Sequence, residues 1–450
     1  RNRVSTHSFD VLDVPEKMDS FGSESSLPNF LLATFSHHGS PTKPEMASNA
    51  RLWRPGGGRD PVAEIRRIHE ATRDWFPAAF EDDAPPLPDR PELQHAFNGL
   101  LTLADWIGSD ERFFPFAEAD SDRMHDARQF ARDALEKLGL DPAAPRDSLG
   151  PDRPSFRSIC DFQPRPIQEI CTDLGDHPDG SLTILEAETG SGKTEAALAR
   201  FAQLFHAGLV DGMYFALPTR TAATQIHGRV VEAMKNAFPD PDCRPPVVLA
   251  VPGYLQVDEA TGRRLPGFEV RWDEDGPRWN YRGWAAESRK RYLAGTVAVG
   301  TIDQVLLSTL QVRHAHMRAA ALMRQFLVVD EVHASDPYMS RLLEEVLDHH
   351  LQCGGHAFLM SATLGSSTQA RLLNQPTADN LSAEKAAAMD YPMVTHADAP
   401  REQVQRREAK PSSKPKDVRM EARAAADDPG EVADEALAAA RDGARVLVIR

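Results

Sequence analysis

Between Ala187 and Thr194 the chain reads AETGSGKT. Two glycines, a lysine and a threonine at this spacing suit a chain of phosphates. Gly190 and Gly192 have no β-carbon to block the backbone. Their N–H groups can therefore turn towards phosphate oxygens, aided by the positive end of the helix expected to follow. Lys193 would reach the β- and γ-phosphates of ATP, and the Thr194 hydroxyl would sit on Mg2+. Thr189 and Ser191 complete the loop, while the strict pattern has glycine where this chain has Ala187. A second group is Phe326–His333, FLVVDEVH, an apolar run that ends in two carboxylates. Phosphoryl transfer needs a metal against the phosphates and a group that orients the attacking water. Asp330 suits the metal and Glu331 suits the water. A third, Leu359–Leu364, reads LMSATL and ends in the hydroxyls of Ser361 and Thr363.

Such groups act together only if a scaffold brings them to one place. The run before Ala187 reads as a buried strand, and a helical pattern opens near Glu195. Strand, glycine loop and helix form the context a phosphate loop needs. From about Ser155 to Pro376, short apolar runs alternate with helical segments. These runs are Leu182–Leu185, Met213–Leu217, Val247–Val251, Val297–Val299, Phe326–Val329 and His356–Met360. The alternation predicts a mainly parallel sheet covered by helices. Residues 1–140 read as mostly helical, with apolar spacing over Pro28–Ser36, Pro61–Trp75, Pro91–Ile107 and Met124–Leu138. Four prolines between Asp141 and Pro154 predict a linker. Glu384–Asp428, rich in alanine and charge, is expected to be a mobile linker. Val432–Arg441 is expected to be a helix, capped by Gly443, and Arg445–Arg450 the start of a strand.

The 450 residues are 41% hydrophobic and 26% charged, as in a soluble globular protein of two or three domains. No apolar run approaches the roughly 20 residues that cross a bilayer, so no membrane partner is expected. The four cysteines form no C-x-x-C pair, which argues against a zinc ribbon and for a reduced, cytoplasmic compartment. The net charge of −16 gives nucleic-acid binding no general support, so any such binding must use local surfaces. One candidate surface is Arg263–Tyr292, where arginines alternate with Trp272, Trp279, Tyr281, Trp284 and Tyr292. Its aromatics could stack bases or could pack on the core. His314, His316, His349 and His350 are expected to be surface helix histidines.

Phosphate loop, DEVH and SAT follow the order of superfamily 2 helicases of the DExH type, which the chain resembles. Phe162–Gln168 resembles the adenine-reading element of that family, with Gln168 on the base. Pro218-Thr219-Arg220 and Gly300–Gln304 resemble its DNA-contacting motifs, which implies contacts at Thr219, Arg220 and Thr301. His333, Ser361 and Thr363 are implied in coupling. WAAESRKRYLAGTVAVGTIDQVLL and RHAHMRAAALMRQFLVVDEVHASDPYM narrow the resemblance to the Cas3 family of type I CRISPR systems, although Ser335 stands where that family often has tyrosine.

That family places an HD-type metal-dependent nuclease before the helicase. FSHHGSP at 35–41 resembles its paired-histidine motif and LADWIGS at 103–109 its closing aspartate motif. The implied metal ligands are His37, His38 and Asp105, with His7 as the isolated histidine. Imidazoles and a carboxylate suit divalent transition metals such as Mn2+, Ni2+, Co2+ or Fe2+. The HD dipeptide itself is not found before His37, and it and a second motor lobe are expected outside the chain, which is read as a fragment. The implied organisation is the C-terminal part of the nuclease domain at 1–140, a linker at 141–155 and a first RecA-like, ATP-binding domain at 156–383. A mobile linker at 384–430 and the start of a second RecA-like domain at 431–450 follow. The implied function is an ATP-dependent single-stranded DNA translocase joined to a DNA nuclease, recruited by a guide-RNA CRISPR surveillance complex. The alternatives are an RNA or DNA helicase without nuclease activity, and a non-catalytic nucleotide-dependent DNA clamp.

Overall fold

The structure is a computed structural model. It describes residues 26–39, 54–81, 87–116, 123–266, 270–273, 276–332, 336–375, 390–411 and 428–448. His7 and His333 lie outside the described residues. The chain divides into a compact unit up to Ser412 and a second unit from Ser413.

In the first unit, the expected apolar runs form the centre of an eleven-stranded sheet. In chain order the strands are β1 (Ser181–Glu186), β2 (Gly212–Leu217), β3 (Val247–Ala250), β4 (Gln256–Val257), β5 (Ala260–Arg264), β6 (Val270–Trp272), β7 (Val297–Thr301), β8 (Gln325–Val329), β9 (His356–Ser361), β10 (Met393–Asp398) and β11 (Val404–Glu408). Their order across the sheet is β11-β10-β1-β9-β8-β2-β7-β3-β4-β5-β6. The block from β1 to β3 is parallel throughout, and both flanks are antiparallel. Parallel strands are covered on both faces, which is why these runs are mostly apolar on both faces instead of alternating.

Period-two alternation sorts their side chains into two cores. Leu185, Phe215, Val328 and Phe358 face a core shared with the Lys193–His206 and Arg220–Ala237 helices. Leu182, Ile184, Tyr214 and Leu327 face the other, together with Ile107, Ala134 and Leu138 from the N-terminal helices and Phe113 from the turn between two of them. Those helices are Ser26–Phe35, Pro61–Trp75, Pro91–Gly108 and Arg123–Leu138, each within two residues of its expected apolar segment. The Pro91–Gly108 and Arg123–Leu138 helices therefore share one hydrophobic core with the sheet.

Four expectations are corrected. Residues 141–155 are not simply a spacer: Ala143–Ser148 is helical, and Arg146 donates to the carbonyls of Phe205 and Val210 and pairs with Asp211 at 2.9 Å. The expected linker at 384–430 contains β10 and β11. Val394, Ala397 and His396 are buried where β10 pairs with β1, because the sheet edge supplies the partner that the polar flanking sequence conceals. The Pro429–Arg441 helix of the second unit forms as expected, capped by Asp428, but residues 445–448 form no strand. A strand needs a neighbour, and none pairs with it among the described residues. Finally, His314 and His350 are each only 3% exposed and so are not surface histidines.

Candidate active sites

The parallel register brings the residues expected to form an ATP site together. Glu186 is level with Ser361, Val329 with Leu359, Ala216 with Val329, and Leu217 with Thr301. Ala187, Asp330, Ser361, Thr219 and Thr301 consequently all emerge near the carboxyl edge of the sheet, where open α/β sheets take ligands. The Ala187 N–H donates to the Ser361 carbonyl at 3.1 Å, tying the phosphate loop to the SAT strand.

Gly190 and Gly192 have φ of +84° and +94°, as the loop geometry requires. Lys193 is buried at the start of its helix and donates to the carbonyls of Ala187 at 2.7 Å and Glu188 at 3.3 Å. Burial lowers its pKa, and Asp330, Glu331 and Glu188 partly offset this. Ser191 Oγ is buried without a hydrogen-bond partner, so the loop holds a donor ready for a ligand oxygen. Thr194 is 7% exposed beside it. Asp330 accepts from the Glu331 N–H at 2.9 Å, and Glu331 sits in the left-handed region at φ 55°. Burial, then the neighbouring Glu331, raises the Asp330 pKa. A cation would relieve both effects, so the donor set fits Mg2+.

Gln168 is fully buried and both ends of its amide are engaged. Nε2 donates to the Gly192 carbonyl at 2.9 Å and Oε1 accepts from the Arg165 N–H at 2.8 Å. In this structure it braces the phosphate loop, and a base would have to displace one of these bonds. Arg165, which the sequence did not single out, donates to the Gly190 carbonyl. Thr219 is exposed and caps the Arg220–Ala237 helix through the Ala222 N–H at 3.1 Å; Arg220 is exposed beside it. Thr301 is only 4% exposed. Ser361 Oγ is turned into a local loop, donating to the Thr363 carbonyl at 2.8 Å.

The Arg263–Tyr292 stretch is not an open stacking surface. Trp272, Trp284 and Tyr292 are buried in the core, Arg291 lies 4.5 Å from the Trp284 ring centroid, and Arg282 pairs with Asp258 at 2.9 Å.

The second site lies in the N-terminal helices. His37 and His38 follow the Ser26–Phe35 helix and Asp105 lies on the Pro91–Gly108 helix. One ligand atom from each of the three lies within 4.8 Å of the others. Their ring or carboxylate groups are exposed or half-buried, which leaves room for a substrate. His37 Nδ1 lies 2.5 Å from the Thr34 carbonyl. A carbonyl only accepts, so the proton is on Nδ1 and Nε2 is left for a metal, the usual arrangement of a ligating imidazole. Asp105 accepts from Ser109 Oγ at 3.5 Å. The donors thus fit a divalent transition metal.

The family model described as Cas3, HD domain, matches residues 5–114. The chain is 33% identical over 300 residues to the CRISPR-associated endonuclease/helicase Cas3 of Escherichia coli, covering 63% of this chain and 32% of that protein. It is 32% identical over 357 residues to the protein of the same name from Thermus thermophilus, covering 75% and 36%. The chain belongs to the Cas3 family. It thus spans about a third of the length of the curated Cas3 relatives it matches. The T. fusca Cas3-ADP crystal structure superposes with a TM-score of 0.60 at 25% identity, over 89% of this chain and 45% of that one. The T. fusca Cas3-AMPPNP structure, at 23% identity, shares the fold over 98% of this chain and 50% of that one, with a TM-score of 0.66.

Proposed function

We propose that this chain binds ATP at the carboxyl edge of its sheet and holds transition-metal ions at His37, His38 and Asp105. It thereby couples a single-stranded DNA motor to a DNA nuclease in CRISPR defence. The observation that carries this reading is the convergence of the three ligands within 4.8 Å, in the same compact unit as the phosphate loop and DEVH strand. The names of its Cas3 relatives, endonuclease and helicase, support both halves. One chain of a solved structure described as a CRISPR RNA-guided surveillance complex, pre-nicking, is similar in fold, in keeping with a guide-RNA complex as the recruiting partner.

In the nuclease, bound metal would supply an activated water and a clamp on the phosphodiester oxygens. His37, oriented by Thr34, and His38 and Asp105 would hold it at a half-open surface that a DNA strand can approach. In the motor, Lys193 would leave its carbonyls for the β- and γ-phosphates while Ser191 donates to a phosphate oxygen. Thr194 and Asp330 would hold Mg2+, and Glu331 would orient the attacking water. Thr219 and Arg220 would meet the DNA backbone, contacts that read no sequence and suit a translocating motor. His7 and His333 keep their expected roles as metal ligand and coupling residue.

The test is Mn2+- or Ni2+-dependent cleavage of single-stranded DNA. His37→Ala and Asp105→Ala should each abolish it while leaving ATP binding intact. Cleavage that survives both substitutions would leave a helicase without nuclease activity. ATP turnover indifferent to single-stranded DNA would instead favour the clamp.

A further inference from the structure

The His37–His38 turn is held by its own helix end, by Thr102 of the Pro91–Gly108 helix and, at Gly39, by contact with the ATP-binding lobe. Thr102 Oγ1 donates to the His37 carbonyl at 2.9 Å, with the Asn98 carbonyl, at 2.8 Å, as its alternative acceptor. The same oxygen lies 3.2 Å from His316 Nε2. A hydroxyl has one proton. Spent on a carbonyl, it leaves lone pairs, so His316 must be the donor. That bond biases the Thr102 proton towards the backbone acceptors instead of the ring. Gly39, at φ +81°, closes the turn directly on the motor lobe: a β-carbon there would fall 2.4 Å from the His314 ring. Two helices carry these groups, Pro91–Gly108 and Ala315–Leu322. They cross at Gly99, where a β-carbon would lie 2.4 Å from Ala320 Cβ and 2.5 Å from the His316 carbonyl. Past the second helix the chain enters β8, which leads directly into Asp330 and Glu331. One continuous segment therefore touches the nuclease turn at one end and the ATP site at the other.

We propose that Thr102 and the His314–His316 segment are positioning residues for the metal centre, so that the ATP-binding lobe sets the geometry of the nuclease ligands. This rests on the metal reading given above. Thr102 fixes the His37 backbone while Thr34 fixes its ring, and His316 orients Thr102. Partners of this kind change metal affinity roughly 10- to 100-fold when removed.

The test is a Mn2+ titration of the protein followed by electron paramagnetic resonance, with ATP affinity measured alongside. Thr102→Val keeps the shape and loses the hydroxyl. It should weaken Mn2+ binding about tenfold and leave ATP affinity unchanged, whereas Thr102→Ser should bind as the parent does. His316→Ala should lose a similar factor, and His316→Gln, which can still donate to the hydroxyl, should recover it. The Thr102→Val/His316→Ala pair should lose no more than either single variant, because both act along one path. The proposal is overturned if Thr102→Val matches the parent, if Ser and Val lose equally, or if the two losses add. The His316 variants keep the test decisive should Thr102→Val not fold. His37→Ala is the separate control: Mn2+ binding unaffected by it refutes the metal reading itself, whereas binding lost in His37→Ala but kept in Thr102→Val refutes only the positioning role.

Discussion

Lys193 is buried on two carbonyls of its own loop and flanked by Asp330 and Glu331 across the site. Lys193→Ala should therefore weaken ATP binding at least about tenfold, the loss of one charge-assisted contact of about 1.5–3 kcal/mol, read by fluorescent-nucleotide titration. Glu331→Gln should keep that affinity and slow hydrolysis by about 10²-fold or more. Equal turnover in parent and Glu331→Gln would remove Glu331 from its water-orienting role. These residues were legible because each motif is contiguous: one strand end and one loop carry the whole signal. Gln168 was legible as a member of a motif, but not its bonds to Gly192 and Arg165, which depend on where the loop folds back. Thr102 had no signal at all. It is a threonine inside a helix, and only the turn laid across it gives its hydroxyl a second use.

Among the elements, the crossing at Gly99 brings the Pro91–Gly108 and Ala315–Leu322 helices into close contact. Alanine ordinarily favours a helix interior over glycine by up to about 1 kcal/mol. Here Gly99→Ala should destabilise by about 1–3 kcal/mol, since its β-carbon meets Ala320 and the His316 carbonyl. A lowered urea midpoint, partly recovered by adding Ala320→Gly, would confirm the crossing; an unchanged or raised midpoint would refute it. The Arg282–Asp258 pair holds the β4–β5 hairpin to the Pro277–Arg282 helix with both side chains 8% exposed. Arg282→Ala should cost about 3–5 kcal/mol, because it strands a buried carboxylate, and the same denaturation series measures it. The apolar strands were readable as runs that two covered faces require. β4, β5, β6, β10 and β11 were not: they are short or polar strands on the two flanks of the sheet, whose pairing comes from an existing sheet, not from local preference.

Across the first unit, several histidines are held neutral in the interior. Burial pushes His350 and His396 down to about 4 and His356 down to about 3, against a usual value near 6.5. A lowered folded pKa means that the unfolded chain takes up protons first as pH falls. Their contribution is complete above pH 6.5 and is lost as pH falls from there towards 4. Thermal midpoints should therefore drop steeply over that window, and His350→Gln should remove about one proton from the linkage slope. A slope unchanged by His350→Gln would show that this histidine is not titrating with unfolding. The order of the motifs, the parallel sheet and the gathering of the candidate ATP-site residues at its carboxyl edge followed from the chain alone, since local spacing and apolar runs encode them. The union of N-terminal helices and sheet in one core did not, nor did the contacts of His314 with Gly39 and of His316 with Thr102 beside the His37–His38 turn. Both join residues far apart in sequence, and only packing of the two helices at Gly99 brings those surfaces within reach.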